Sequence, residues 1–205
     1  MFKPNAGICR REGLVGVSPQ ARLVVSLLES CKSDGSGGGG GVGDGRGRRE
    51  IGTWEATWPS AEDFEASMPL CWTSEFVDRY LPESALGPIQ RQRADYARDW
   101  EAVKGFCELK GWSEEVWRYY WCIVNSRSFH WKPPGGKAGS MVLCPFVDYL
   151  NHAPTGEGCL VMQGPEGYEV VAGRDYGEFL LCSWSCSRLV LVGPYNVTRR
   201  ETSKR

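Results

Sequence analysis

The sequence has no excess of one charge, no long apolar run and almost no histidine. Its 24 Lys and Arg stand against 25 Asp and Glu, a formal net charge of -1. That balance argues against a strongly basic nucleic-acid carrier and against an acidic, self-repelling tail protein. No apolar stretch reaches the roughly 18 residues that a membrane-spanning helix needs. The best candidate, Phe179 to Val192, is broken by Ser183, Ser185, Ser187 and Arg188. Lys3, Arg10, Arg11 and Glu12 near the N-terminus have no apolar segment behind them, so no secretory signal is expected. An intracellular location, cytoplasm or nucleus, is the expectation, with an organelle left open.

The nine cysteines form no C-x-x-C pair, and Cys182 and Cys186 have no histidine nearby. That pattern argues against a zinc site and against a disulfide framework. Scattered thiols without an export signal read as reduced and mostly buried. With only His130 and His152 present, any histidine-dependent chemistry must use one of them. No G-x-S-x-G elbow, no Walker A lysine motif and no G-x-G-x-x-G following a strand occurs.

What the chain does have is aromatic mass: nine Trp, eight Tyr and seven Phe. That is ample material for a core. Ser18-Pro19 reads as a helix start, a hydroxyl cap followed by proline at the first helical position. Ala21, Val24, Val25 and Leu28 follow at helical spacing. Lys32 to Arg49 is Gly/Ser-rich and reads as a flexible linker. Its Gly45-Arg46-Gly47-Arg48-Arg49 end is a weak RNA-binding footprint, and the near-zero net charge argues against a nucleic-acid partner.

Ser60-Ala61-Glu62-Asp63 resembles a capping box opening a short helix. Thr73 or Ser74 can cap another, which stops near Pro82. Glu83 to Lys110 reads as the longest helix, nicked at Gly87-Pro88, with Ile89, Tyr96, Trp100, Val103 and Cys107 on one stripe. Gly111 ends it. Ser113 caps the next helix, whose buried face is expected to be Val116, Trp117, Tyr120, Trp121 and Val124.

Beyond residue 125 the character changes. Trp131 to Ser140 reads as a loop, and His130 as an exposed loop side chain. Met141 to Cys144 reads as a strand ending at Pro145. Cys159 to Met162 and Tyr168 to Ala172 read as a hairpin. Helices first and strands later make an α+β fold rather than alternating βαβ.

One polar stretch can carry chemistry: Asp148-Tyr149-Leu150-Asn151-His152-Ala153-Pro154. It follows an apolar strand and ends in a proline turn. Its side chains could hold a polar ligand, or simply satisfy a local Asx-type turn. Upstream lies Val124-Asn125-Ser126-Arg127-Ser128-Phe129. The paired pattern, S-R-x-F followed after a loop by D-x-x-N-H, resembles the second half of a SET domain. It is most similar to the branch of the Rubisco large-subunit lysine methyltransferases and their histidine- and lysine-methylating relatives. Residues 60–124 are similar to that branch's helical insert. Gly173-Arg174-Asp175-Tyr176-Gly177-Glu178 looks like the segment before the family's final catalytic element, and Tyr176 precedes the position of the family's catalytic tyrosine.

The resemblance implies a partial SET-type β fold with a large helical insert. Residues 1–50 would be an N-terminal helix plus linker, 51–124 the insert, 125–178 the C-terminal half of the SET core, and 179–205 an unmatched tail. It implies S-adenosylmethionine as cofactor, held by Arg127, Asp148, Asn151 and His152, with Phe129 packing the wall. It implies a protein substrate methylated on lysine, or less often histidine, with no metal and no membrane. The chain departs from the family in three places. Residues 1–16 lack the family's G-x-G strand pair. Phe179 to Cys186 stand where the family carries its channel tyrosine. No C-terminal substrate-binding helical domain is recognisable. A protein-lysine N-methyltransferase and a catalytically dead SET-like interaction module are therefore both consistent with the pattern, and no catalytic residue is assigned.

Overall fold

The computed structural model describes residues 3, 14, 16–32, 51–132, 140–150, 159–163, 168–171, 189–192 and 196–199. Most of the Gly-rich linker, Asn151, His152 and the segment Gly173–Glu178 lie outside the described residues. Helices come first and antiparallel strands last, an α+β arrangement. The chain divides into a helical unit, Lys3–Ser126, and a β-rich unit that begins at Arg127.

The helical unit follows its local chemistry. Helix α1 (Pro19–Lys32) starts where the Ala21 N–H donates to Ser18 Oγ at 3.0 Å, with proline just inside the cap. Ala21, Leu23, Val24, Val25, Leu27 and Leu28 are fully buried, so α1 is enclosed on more than one side. A helical segment at 51–55 follows. Helix α2 (Ala61–Ser67) has a capping box. The Asp63 N–H donates to Ser60 Oγ at 3.1 Å and the Ser60 N–H donates to Asp63 Oδ2 at 2.8 Å. Between the two candidate caps of helix α3 (Ser74–Tyr80), the structure selects Thr73, whose Oγ1 accepts from the Phe76 N–H at 3.2 Å.

Helix α4 (Glu83–Leu109) runs unbroken through Pro88, so the expected nick is absent. Pro88 is the sixth residue of α4, so it forfeits the bond that an N–H there would make to Ser84 O and sets its ring against that carbonyl, and the helix continues despite both. The C-terminus closes as a Schellman motif. Gly111 takes φ +68°, its N–H donates to Glu108 O at 3.0 Å, and the Trp112 N–H donates to Cys107 O at 2.9 Å. Trp112 then packs edge-on to Phe106 at 5.7 Å between centroids, the apolar contact that accompanies this motif.

Helix α5 (Glu114–Arg127) lies along α4 through aromatic contacts. Tyr96 meets Trp121 edge-on at 5.5 Å and Trp100 meets Trp117 at 6.3 Å. Trp117, Tyr120, Trp121, Cys122, Ile123 and Val124 are buried, whereas Val116 is only half-buried. The same interface contains a carboxylate. Asp99 is 2% exposed, and its Oδ2 accepts from Trp121 Nε1 at 3.2 Å. It sits three residues after Tyr96 on the apolar stripe, and the indole N–H offsets part of the cost of its burial.

The described residues of the β-rich unit form two sheets. Strands β1 (Ser128–Trp131) and β2 (Ser140–Leu143) pair antiparallel. His130, Trp131 and Ser140, read from the sequence as loop, are therefore strand residues, and Trp131 is buried. Aromatic and β-branched residues favour a pleated, half-buried surface, and Phe129 opposite Val142 supplies that pairing. A short helix, α6 (Pro145–Asp148), follows. Strands β3 (Leu160–Gln163) and β4 (Tyr168–Val171) form the expected hairpin pairing. Two further strands lie where the sequence resembles nothing recognised. They are β5 (Leu189–Val192) and β6 (Asn196–Arg199), and they extend the sheet in the order β3-β4-β5-β6.

The Asp99–Trp121 bond gives a direct test. Asp99→Ala removes the acceptor and leaves the indole N–H unpaired, a loss of about 1–3 kcal/mol. Asp99→Asn keeps an acceptor and is expected to cost less. Urea unfolding followed by tryptophan fluorescence measures both.

Candidate functional site

Arg127 and Asp148 are 21 residues apart in sequence and meet as an ion pair, Arg127 Nη1 to Asp148 Oδ2. The register of the β1–β2 ladder explains why. Ser128 pairs with Leu143, so Arg127 stands one step past the last pair, opposite Cys144. The Asp148 N–H donates to Cys144 O at 3.0 Å, which folds Asp148 back by one helical turn onto that same position. The strand pairing and a single turn of α6 thus carry the two charges to one corner. Arg127 is also the basic residue in the last turn of α5, where a cation complements the negative end of the helix dipole.

Both side chains are largely withdrawn from water, 18% exposed for Arg127 and 13% for Asp148. Two opposite charges so placed are held by each other. Loss of one would take from the other its close opposite charge. Leu150, whose N–H donates to Val147 O at 3.1 Å, is the last described residue before Asn151. Asn151 and His152 themselves lie outside the described residues. The structure therefore brings together two of the four residues singled out in the sequence, Arg127 and Asp148.

Cys144 and Val147, which lie just before and within α6 on the way to Asp148, belong to an apolar cluster. Trp131, Val142, Cys144, Val147, Tyr168 and Val170 form one cluster, with Phe129, Leu150 and Cys159 packed against it. Phe129 lies against the Tyr168 ring at 5.7 Å between centroids. His130 is exposed on its strand. Its carbonyl accepts a hydrogen bond from Tyr168 Oη at 2.5 Å, which ties β4 to β1. Burial in the first place, and Cys144 in the second, push the Tyr168 hydroxyl up to about 12. The sequence reading placed Tyr168 only in a strand. Its single hint was the two-residue alternation that puts Tyr168 and Val170 on one face.

The donor set at the corner is a guanidinium and a carboxylate. Among the described residues no group of three or more His, Cys, Asp or Glu side chains is placed to hold a metal ion. Among them also, no helix is long and apolar enough to cross a membrane. No protein-family model matches the chain, and searches of curated proteins and of solved structures find no match.

The Tyr168 hydroxyl sets an alkaline limit on this unit. Its folded value lies above the ordinary 10.0, so its contribution is complete below about pH 10 and is lost as pH climbs toward about 12. Tyr168→Phe removes the bond to His130 O and is expected to cost about 1 kcal/mol near neutrality. The gap between wild type and variant should then narrow above about pH 10. Denaturant titrations of both proteins at stepped pH measure that gap.

Proposed function

We propose that the β-rich unit is a SET-like module that binds S-adenosylmethionine, and that the chain is a protein-lysine N-methyltransferase. The observation that carries this reading is the Arg127–Asp148 pair. Arg127 belongs to the S-R-x-F half of the pattern and Asp148 opens the D-x-x-N-H half, and their meeting supports reading the two halves as one site.

In this reading Arg127 and Asp148 act as positioning residues. Each neutralises the other, and together they pin the turn that leads directly into Asn151 and His152. The Asn151 amide would hold the amino-acid end of the cofactor. Backbone groups beside His152 would meet the adenine. Phe129, half-buried against the apolar cluster, would pack the wall. When bound, the cofactor supplies an activated methyl group on a sulfonium, which leaves the protein mainly the work of alignment. A lysine amine has an ordinary pKa of about 10.4 and must shed its proton before it attacks. A narrow site lined by carbonyl groups can favour the neutral amine by excluding water. The donor chemistry on hand needs no metal for any of this.

One sequence feature favours a second reading, a SET-like module that binds a protein without methylating it. The residues after Gly177-Glu178 are Phe179-Leu180-Leu181-Cys182, with no tyrosine to line a transfer channel.

Equilibrium binding of labelled S-adenosylmethionine to the full chain tests the cofactor site. A micromolar dissociation constant is expected, weakened at least about tenfold in Asn151→Ala. No binding at millimolar cofactor would remove the site and the enzyme together. Binding without methyl transfer to any lysine-containing protein offered would leave the second reading.

A further inference from the structure

The helical unit contains a pair of facing thiols that the reading above does not use. Cys71 is half-buried in the turn before α3, and Cys122 is buried in the middle of α5. Arg93 of α4 determines where that turn lies. Its guanidinium donates to Pro69 O at 3.1 Å, to Trp72 O, and to Ser74 Oγ at 3.0 Å, so three groups bracketing Cys71 are held against one side chain. The turn is closed internally by the Cys71 N–H donating to Met68 O at 2.9 Å. One helical turn beyond Arg93, Tyr96 packs edge-on to Trp121 at 5.5 Å, and Trp121 is the neighbour of Cys122. Arg93 and Tyr96 lie on one face of α4, so the clamped turn and the centre of α5 are brought to the same place. There Cys71 and Cys122 are near enough for the two thiols to interact directly.

We propose that Cys71 and Cys122 are a redox pair, closed to an intramolecular disulfide by a low-molecular-weight disulfide such as oxidised glutathione. The half-buried Cys71 is the point of entry. Its thiolate attacks one sulfur of oxidised glutathione, and one glutathione thiolate leaves. The Cys122 sulfur then gives its proton to solvent and attacks Cys71 Sγ, and the second glutathione leaves as thiolate. Two protein thiols become one disulfide, one glutathione disulfide becomes two glutathiones, and the two protons end on those products. Burial, and secondarily the neighbouring Cys71, push the Cys122 thiol up to about 12, with Arg118 opposing the shift. Entry is therefore through Cys71 and not through Cys122. The consequence is a latch: the oxidised chain has its 68–73 turn fastened to α5 by a covalent bond in place of a weak thiol contact.

The sequence makes the test clean. Trypsin releases Cys71 within residues 50–79 and Cys122 within residues 119–127, each peptide containing a single cysteine. The full chain is incubated folded with oxidised glutathione, its remaining thiols are alkylated in denaturant, and it is digested without reduction. We expect the two peptides to be recovered mainly as one disulfide-linked species, two hydrogens lighter than their sum. In Cys71→Ser that species should vanish while the 119–127 peptide is recovered alkylated. The Cys71→Ser change falls in a half-buried turn, and circular dichroism checks its fold. Should that variant misfold, the wild-type map alone decides. Recovery of both wild-type peptides alkylated, a stable glutathione adduct on Cys71, or Cys71 joined to another cysteine would each overturn the proposal. None of these outcomes depends on S-adenosylmethionine binding.

Discussion

A guanidinium and a carboxylate withdrawn from water at one corner have to neutralise each other, and the β-rich unit is arranged so that Arg127 and Asp148 do. The cost of taking both out of water is offset by their close contact together with the further interactions that each makes. That requirement couples three otherwise separate facts of the chain. Arg127 must end a helix, Ser128 must pair with Leu143, and Pro145 must open a turn of helix that returns Asp148 to Cys144. A slip of one residue in the β1–β2 register would send each side chain of the strand to the opposite face and separate the charges. The pair is thus as much a lock on register as a contact.

The helical unit solves a different version of the same problem. Its interior is rich in indoles and phenols, which are large apolar bodies with one polar atom each. Several of those atoms have defined partners, among them Trp121 Nε1 on Asp99, Trp72 Nε1 on Glu65 O at 3.0 Å, Tyr96 Oη on Glu114 at 3.1 Å, and Tyr119 Oη on Pro59 O at 3.0 Å. Trp117 Nε1 and Trp58 Nε1 are buried with no hydrogen-bond partner. Filling this core with tryptophan therefore gains area and leaves some N–H groups unsatisfied. Removing a satisfied polar partner should then be felt more strongly than deleting a surface charge, since it adds to an existing deficit.

Local rules were the legible part of the sequence. Ser18-Pro19, the Ser60–Asp63 box and Gly111 act within a few residues of themselves, and each is found where its chemistry places it. Gly87-Pro88 misleads because proline inside a helix loses a hydrogen bond and crowds the carbonyl four residues back, yet the 21 residues of α4 beyond it continue the helix. Strand β1 was hidden because Ser-Phe-His-Trp is short and flanked by a Pro/Gly stretch, so only its partner Ser140–Leu143 defines it. Asp99 was hidden because an acid on an apolar stripe looks like an interruption until the indole across the interface is known. Of the corner, Arg127 and Asp148 were legible as a pair of motif residues. Tyr168 was not, since the bond to His130 O spans 38 residues and leaves no local trace.

The satisfied state of the corner also bears on how a ligand could be held there. A charge already compensated by a neighbour offers less to an incoming ion than a lone one, because binding must compete with the existing contact. On the proposed reading, affinity would therefore come from Asn151, His152 and backbone groups, while Arg127 and Asp148 keep the approach to them in one conformation. Preorganisation of this kind lowers the ordering cost of binding without adding a contact. It places the sensitivity of the site in geometry. A substitution at Arg127 that preserves charge but not the fork, such as lysine, would keep the electrostatics and lose the fixed angle at which a planar guanidinium meets a carboxylate. Its effect on cofactor binding would then resemble that of alanine more than that of wild type, whereas a purely electrostatic role would make lysine nearly silent.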